Sequence, residues 1–216
     1  FGEAVVAAKL DAVDLTKEFK IPVYSKALNS YSFWTVKTVC GESTQQSSWS
    51  TLSGEYESVS TLHDGKTLLT ANQLPYMNRM AANSGQVTTV VFEPVTDNIV
   101  DPFTLIFGSN TPDLKLDGKT VRENHFEIVT DGTSGILYEV AEGAKKQLSS
   151  FAFAVKPNAA NTVRIALTPQ NGKTLVNVWM NDILAVNSFA NIANQSGFTG
   201  FYTPDFGIKV SDFKNE

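Results

Sequence analysis

The run Thr162-Val163-Arg164-Ile165-Ala166-Leu167-Thr168, followed by Pro169-Gln170-Asn171-Gly172 and then Thr174-Leu175-Val176-Asn177-Val178-Trp179-Met180, decides the fold class. Val163, Ile165 and Leu167 alternate with Arg164, Ala166 and Thr168, the period-two pattern of a strand with one buried face. Asn-Gly adopts positive φ at little cost, so Asn171-Gly172 predicts a tight hairpin turn. On the returning strand Val176, Val178 and Met180 share one face and read as core. Leu175, Asn177 and Trp179 take the other. A second turn at Asn181-Asp182 leads into Ile183-Leu184-Ala185-Val186.

The same signals recur outward from this meander. Ser32–Val39 is rich in aromatic and β-branched residues. Glu55–Leu62 alternates, and His63-Asp64-Gly65-Lys66 turns it into Thr67-Leu68-Leu69. Gln86–Pro94, Phe103–Gly108, Phe126–Thr130, Gly135–Val140, Phe151–Val155, Gly197–Tyr202 and Gly207–Phe213 bring the count to about twelve strands separated by turn signals. Before them, Leu10, Val13, Leu15 and Phe19 have a loose helical spacing with Asp14 as a candidate cap, and Ile21-Pro22-Val23-Tyr24 reads as extended. The expectation is an all-β, two-sheet antiparallel β-sandwich: a single jelly-roll domain over 31–216, with 1–30 as a short helical or extended lead-in packed on it.

At 216 residues and 42% apolar the chain can bury a sizeable core. Its net charge of −5 and lack of a basic stripe exclude a nucleic-acid partner. Cys40 is the lone cysteine, so no internal disulfide forms; it reads as a small buried apolar residue. No run approaches the ~18 apolar residues of a membrane span. Phe1–Ala8 lacks the basic flank and length of a secretory signal.

The closing third resembles the concanavalin A-like (laminin-G-like) jelly-rolls. The matching residues are Val163-Arg164-Ile165, Trp179-Met180-Asn181-Asp182, Gly200-Phe201-Tyr202 and Val210-Ser211-Asp212-Phe213. In that family the terminal strand pairs near the N-terminus. The resemblance implies a jelly-roll and an extracellular, periplasmic or cell-surface location. It leaves sugar-binding modules, glycoside hydrolases, polysaccharide lyases and adhesive domains all open, since a fold does not choose its function. It also brings in a structural Ca²⁺, for which Asp97, Asp101, Asp113, Asp117 and the later Asp205 are the candidate ligands.

Chemistry has several candidate seats. Glycoside cleavage needs two carboxyl groups ~5–9 Å apart. Glu55 and Glu57 share a strand face, either as such a pair or as a solvated surface. Glu127 and Glu139, on strands joined by a short hairpin, are the second pair expected to face one another. His125, beside Arg122, Glu123 and Asn124, is either a lyase-type base or an exposed loop histidine. Sugar recognition needs aromatic faces with amides and charges around them. Trp179, Asn177 and Arg164 form such a patch on the concave, wetter sheet face, unless Trp179 caps the core edge with Arg164 lying over it. Trp49 is either a loop anchor or a binding aromatic, and Tyr76 and Arg79 belong to a second contact loop over Asn72–Met80. The reading is a carbohydrate-binding or adhesive domain, with a paired-carboxylate hydrolase or lyase and a protein-interaction domain as alternatives.

Overall fold

Apolar residues at every second position, interrupted at short intervals by turn residues, make most of the described residues strand. The computed structural model describes residues 19–25, 30–36, 49–51, 59–61, 65–72, 74–112, 116–117, 120–121, 123–192 and 196–216. The helical reading of residues 4–18 lies outside them, and Phe19 opens a strand. No helix among the described residues is long and apolar enough to cross a membrane.

The chain divides into two compact units, Phe1–Gln46 and Ser47–Glu216. The first contains a hairpin of β1 (Phe19–Ser25) and β2 (Ser30–Val36), antiparallel from Phe19↔Val36 to Ser25↔Ser30. The second contains β3 (Trp49–Thr51), β4 (Val59–Thr61), β5 (Thr67–Leu69), β6 (Tyr76–Asn78), β7 (Val87–Val95), β8 (Phe103–Ser109) and the ribbon β9 (Leu116–Asp117) with β10 (Thr120–Val121). It continues with β11 (His125–Thr130), β12 (Ser134–Ala141), β13 (Ala144–Ala152), β14 (Asn161–Gln170), β15 (Lys173–Met180), β16 (Ile183–Ala190), β17 (Phe198–Tyr202) and β18 (Gly207–Asn215). All but β9 and β10 form two seven-stranded antiparallel sheets. Sheet I runs β13-β12-β11-β8-β17-β6-β3, and sheet II runs β16-β15-β14-β7-β18-β5-β4. The terminal strand β18 lies between β7 and β5, within its own unit.

Turn chemistry sets the hairpins. Asn171-Gly172 (φ 53° and 75°) and Asn181-Asp182 (φ 49° and 66°) both place two successive residues at positive φ, the geometry whose twist matches antiparallel strands. Glu142-Gly143 (φ 51° and 82°) does the same, and opens a strand that the sequence reading places too late. The strand expected over Phe151–Val155 is β13, running from Ala144 to Ala152. It is a sheet edge, exposed at Lys145, Lys146 and Gln147, so no alternation marks it. Between β11 and β12, Asp131 Oδ1 accepts from the backbone N–H of Ser134 (2.7 Å) and of Thr133 (2.8 Å), and Oδ2 from the Ser134 hydroxyl (3.1 Å). These bonds, the backbone ones first, hold its carboxyl down from 3.8 to about 2.

The core is what the two inner faces share. Sheet II sends in Val90, Phe92, Val163, Ile165, Leu167, Val176, Val178, Met180, Ile208 and Val210; sheet I answers with Phe103, Leu105, Phe107, Phe126, Ile128, Leu137 and Phe201. Aromatic rings run across the interface. Phe92 of sheet II lies 5.2 Å from Phe201 and 6.2 Å from Phe103, both of sheet I. Trp49 stands 5.8 Å from Phe201 and edge-on to Phe213 at 5.5 Å. Phe213 reaches this chain of rings because the β18–β7 register shifts between Val210 and Asp212.

Phe92→Ala removes the ring that joins the sheets and should cost about 3–5 kcal/mol in urea unfolding. For Asp131, a depressed carboxyl stabilises the fold above its ordinary 3.8 and loses that contribution as pH falls towards 2. The stability gap between wild type and Asp131→Ala should therefore close across that window; a gap unchanged by acid would contradict the assignment.

Candidate functional site

Because strand side chains alternate, burying the inner set presents a defined outer set on each sheet. The two outer faces differ. On sheet I, Met77 and Ile106 point away from the main core yet are buried, forming a second apolar cluster with Phe198 and Tyr202. His125, on the same face, is 0% exposed. On sheet II the outer face is open: Arg164, Asn187, Leu184 and Phe189 are all exposed.

The open face is built on β14, β15 and β16 as three rungs. Leu175 pairs with Phe189, Asn177 with Asn187, and Trp179 with Leu184. Arg164 stands opposite Trp179 on the other side, with its guanidinium carbon 5.3 Å from the ring centroid. Asn187 Nδ2 donates to Asn177 Oδ1 at 3.0 Å. The remaining halves of these two amides, one donor and one acceptor, are available to a ligand. At about 3.4 Å per residue the rungs span about 14 Å, apolar at one end, polar in the middle and aromatic at the other. Arg164, Asn177 and Trp179 thus come together as the alternation predicts. Arg164 also lies over the indole, the other arrangement the sequence allows, so one ring face is shared with a cation. Asn187 and Phe189 are missed by the sequence reading, which ends this strand at Val186. The signal was the continued alternation of inward Val186 and Ala190 with outward Asn187 and Phe189.

The other aromatic candidates fall elsewhere. Trp49 is in β3, 2% exposed and packed on Phe201 and Phe213, so it is core and neither loop anchor nor ligand contact. Tyr76 is 0% exposed in β6, its hydroxyl donating to the Thr70 carbonyl at 2.9 Å. The polar stretch Asn72–Met80 misleads because its middle is a buried strand, Asn78 included. Arg79 is exposed.

Glu127 and Glu139 do not face each other. Glu127 pairs with Tyr138, and Glu139 with Phe126, so the two carboxylates are on opposite faces of sheet I. The turn after Thr130 sets this offset. Glu139 is buried and its Oε2 accepts from the Asn191 backbone N–H at 2.8 Å. Glu127 receives Lys145 Nζ at Oε2 and His125 Nε2, 2.9 Å away, at Oε1. Burial works to raise the Glu127 carboxyl, but these hydrogen bonds and the charges behind them outweigh it and hold it below its ordinary range. Lys145 also lies 4.3 Å over the Tyr138 ring. His125 Nδ1 donates to the Glu123 carbonyl at 2.5 Å. With Nε2 on Glu127 as well, neither nitrogen is left to take a substrate proton, and the ring is not the exposed loop residue of the alternative reading. Glu55 and Glu57 lie outside the described residues.

Among the described residues no three His, Cys, Asp or Glu side chains converge as a metal site. Asp97 accepts from Asn158 Nδ2 at 2.8 Å, and Asp101 and Asp205 are exposed. Asp113 lies outside the described residues; Asp117 closes the short strand β9.

No protein-family model matches the sequence, and no curated protein does. Solved structures do match. The carbohydrate-binding module CBM66 from Bacillus subtilis superposes with a TM-score of 0.56 at 10% identity, covering 80% of this chain and 97% of that one. The Emp46p carbohydrate recognition domain in its metal-free form gives 0.57 at 12% identity, covering 82% and 91%. The β-glucanase of Bacillus licheniformis gives 0.53 at 9%, covering 81% and 94%.

Glu127→Gln should remove an acid-sensitive part of the stability. A depressed carboxylate contributes above its ordinary 4.5 and loses that contribution as pH falls through its folded value. Thermal unfolding across the acid range should show wild type and variant converging at low pH; parallel curves would rule the network out.

Strand order and these superpositions agree on the fold: the chain is an antiparallel two-sheet jelly-roll β-sandwich, the fold of these solved structures.

Proposed function

We propose that this jelly-roll is a carbohydrate-binding or adhesive domain, and that its ligand lies along the open outer face of sheet II. The observation that carries the reading is the shared face of Trp179, Asn177, Asn187 and Arg164, registered on three neighbouring strands and open to solvent. A pyranose has an apolar C–H side and a rim of hydroxyls. Leu184, Trp179 and Phe189 offer the first a surface, and the paired amides and Arg164 hydrogen-bond the second. For Trp179 to stack on a ring, Arg164 has to swing aside or share the ligand from above.

Two of the structural neighbours are named as carbohydrate binders, a module and a recognition domain, which supports this reading over an enzymatic one. The β-glucanase keeps hydrolysis in view. The opposite facing of Glu127 and Glu139 weighs against that pair as the acid and its partner.

A glycan array, backed by pull-down on insoluble polysaccharides, tests the reading. Wild type should be retained by at least one glycan, and Trp179→Ala and Asn177→Ala should each weaken retention about tenfold or more with the fold intact. Silence across the panel, or binding indifferent to both substitutions, would sink it.

A further inference from the structure

A surface cation that rests on an aromatic face, with no carboxylate beside it, is weakly held and free to move to an anion. Among the described residues the outer face of sheet II carries five cations, Lys66, Arg164, Lys173, Lys209 and Lys214, against three carboxylates, Glu93, Asp212 and Glu216. The whole chain has a net charge of −5, so this face runs against the sign of the molecule. Glu93 takes Lys66 at 3.7 Å and Lys209 at 3.2 Å, and Glu216 takes Lys214 at 2.9 Å. Among the described residues Arg164 has no carboxylate partner; its guanidinium carbon lies 5.3 Å from the centroid of the Trp179 ring.

Register fixes the surroundings of that guanidinium. Trp179 pairs with Arg164, Arg164 with Thr89, and Thr89 with Lys214. Aromatic ring, guanidinium, hydroxyl and ammonium therefore stand in one row across β15, β14, β7 and β18, about 14 Å long at the usual strand spacing. We infer that the ligand of this face is an acidic glycan, with a uronate ring stacked on Trp179 and its carboxylate on the guanidinium of Arg164. The inference rests on the carbohydrate-binding reading above.

A uronate carries its carboxylate at the rim of the ring, beside the C–H face rather than on it, so one sugar residue can stack and pair at once. The guanidinium offers two parallel N–H groups to the two carboxylate oxygens, a stronger and more directional contact than a neutral hydroxyl supplies. This decides the competition for the indole. A neutral sugar has to displace Arg164 from the ring in exchange for ordinary hydrogen bonds, whereas a uronate brings the counter-ion towards which the guanidinium moves. Thr89 and the half-satisfied amides of Asn177 and Asn187 then meet hydroxyls. The surplus of cations steers an acidic polymer to this face although the molecule as a whole would repel it.

Titration calorimetry of the full chain at about 0.15 M salt tests this, with polygalacturonate, alginate and hyaluronan each set beside its carboxyl-reduced, neutral form. At least one acidic polymer should bind, and reducing its carboxylates should weaken binding about tenfold or more. Arg164→Gln should weaken it by a similar factor. Arg164→Lys should not restore it, since an ammonium keeps the charge and loses the fork. Arg164 is exposed, and near-ultraviolet circular dichroism checks that both variants keep the fold. Binding of neutral glycans alone, still dependent on Trp179, overturns the acidic ligand and leaves the carbohydrate reading standing. Silence with every polymer overturns both. Dextran sulfate competing as well as the uronate, or acidic binding indifferent to Arg164→Gln, means attraction to any polyanion and overturns the inference too.

Discussion

Phe92 is the constraint on which the molecule depends, because it is the ring through which sheet II grips sheet I, against Phe201 on one side and Phe103 on the other. Aromatic burial of this kind is the largest apolar contribution a single residue makes to a sandwich. Its effect reaches beyond the core. Once Phe92 and Val90 point inward, the pleat of β7 is set, and the ladder passes that parity to β14 and then to β15. Arg164, Asn177 and Trp179 face outward because Val163, Val178 and Met180 have been claimed by the interior. The outer platform is thus a by-product of core packing before it is anything else.

This explains what the sequence reveals and what it conceals. Strand–turn–strand segments with local closure, Thr162 to Met180 above all, are legible because alternation and Asn-Gly chemistry act within a few residues. β13 is not, since its first half, Ala144 to Gln147, is an exposed edge and only Leu148 and Phe151 further along pack on the core. Trp49 and Tyr76 look like ligand contacts among polar neighbours; which face of a short strand is buried depends on what lies across the sandwich, and no local pattern encodes that. The Glu127–Glu139 pairing fails for a related reason. One residue of register in the turn around Asp131 decides whether two carboxylates meet or are separated by the thickness of the sheet.

The two outer faces show how one scaffold supports different chemistry. On sheet I, Glu127 is held ionised between Lys145 and His125, a saturated network beside buried Met77 and Ile106. Such a network fixes geometry and leaves little capacity for a guest. On sheet II the amides of Asn177 and Asn187 satisfy one another only halfway, and the apolar groups flanking them remain wet. Half-satisfied polar groups between exposed apolar ones are what a sugar or a protein edge can complete.

The position of β18 bears on how the fold is reached in time. The β14–β15–β16 meander closes through tight turns and can form within microseconds as an independent ribbon. Sheet II becomes continuous only when β18 inserts between β5 and β7, where Val210 meets Phe92 across most of the chain's length. Long-range closure of that kind is slow. Until it happens, β7 presents an open flank with Phe92 at its centre, and the nascent sandwich is most exposed to misassembly at the place where the finished one is most tightly held.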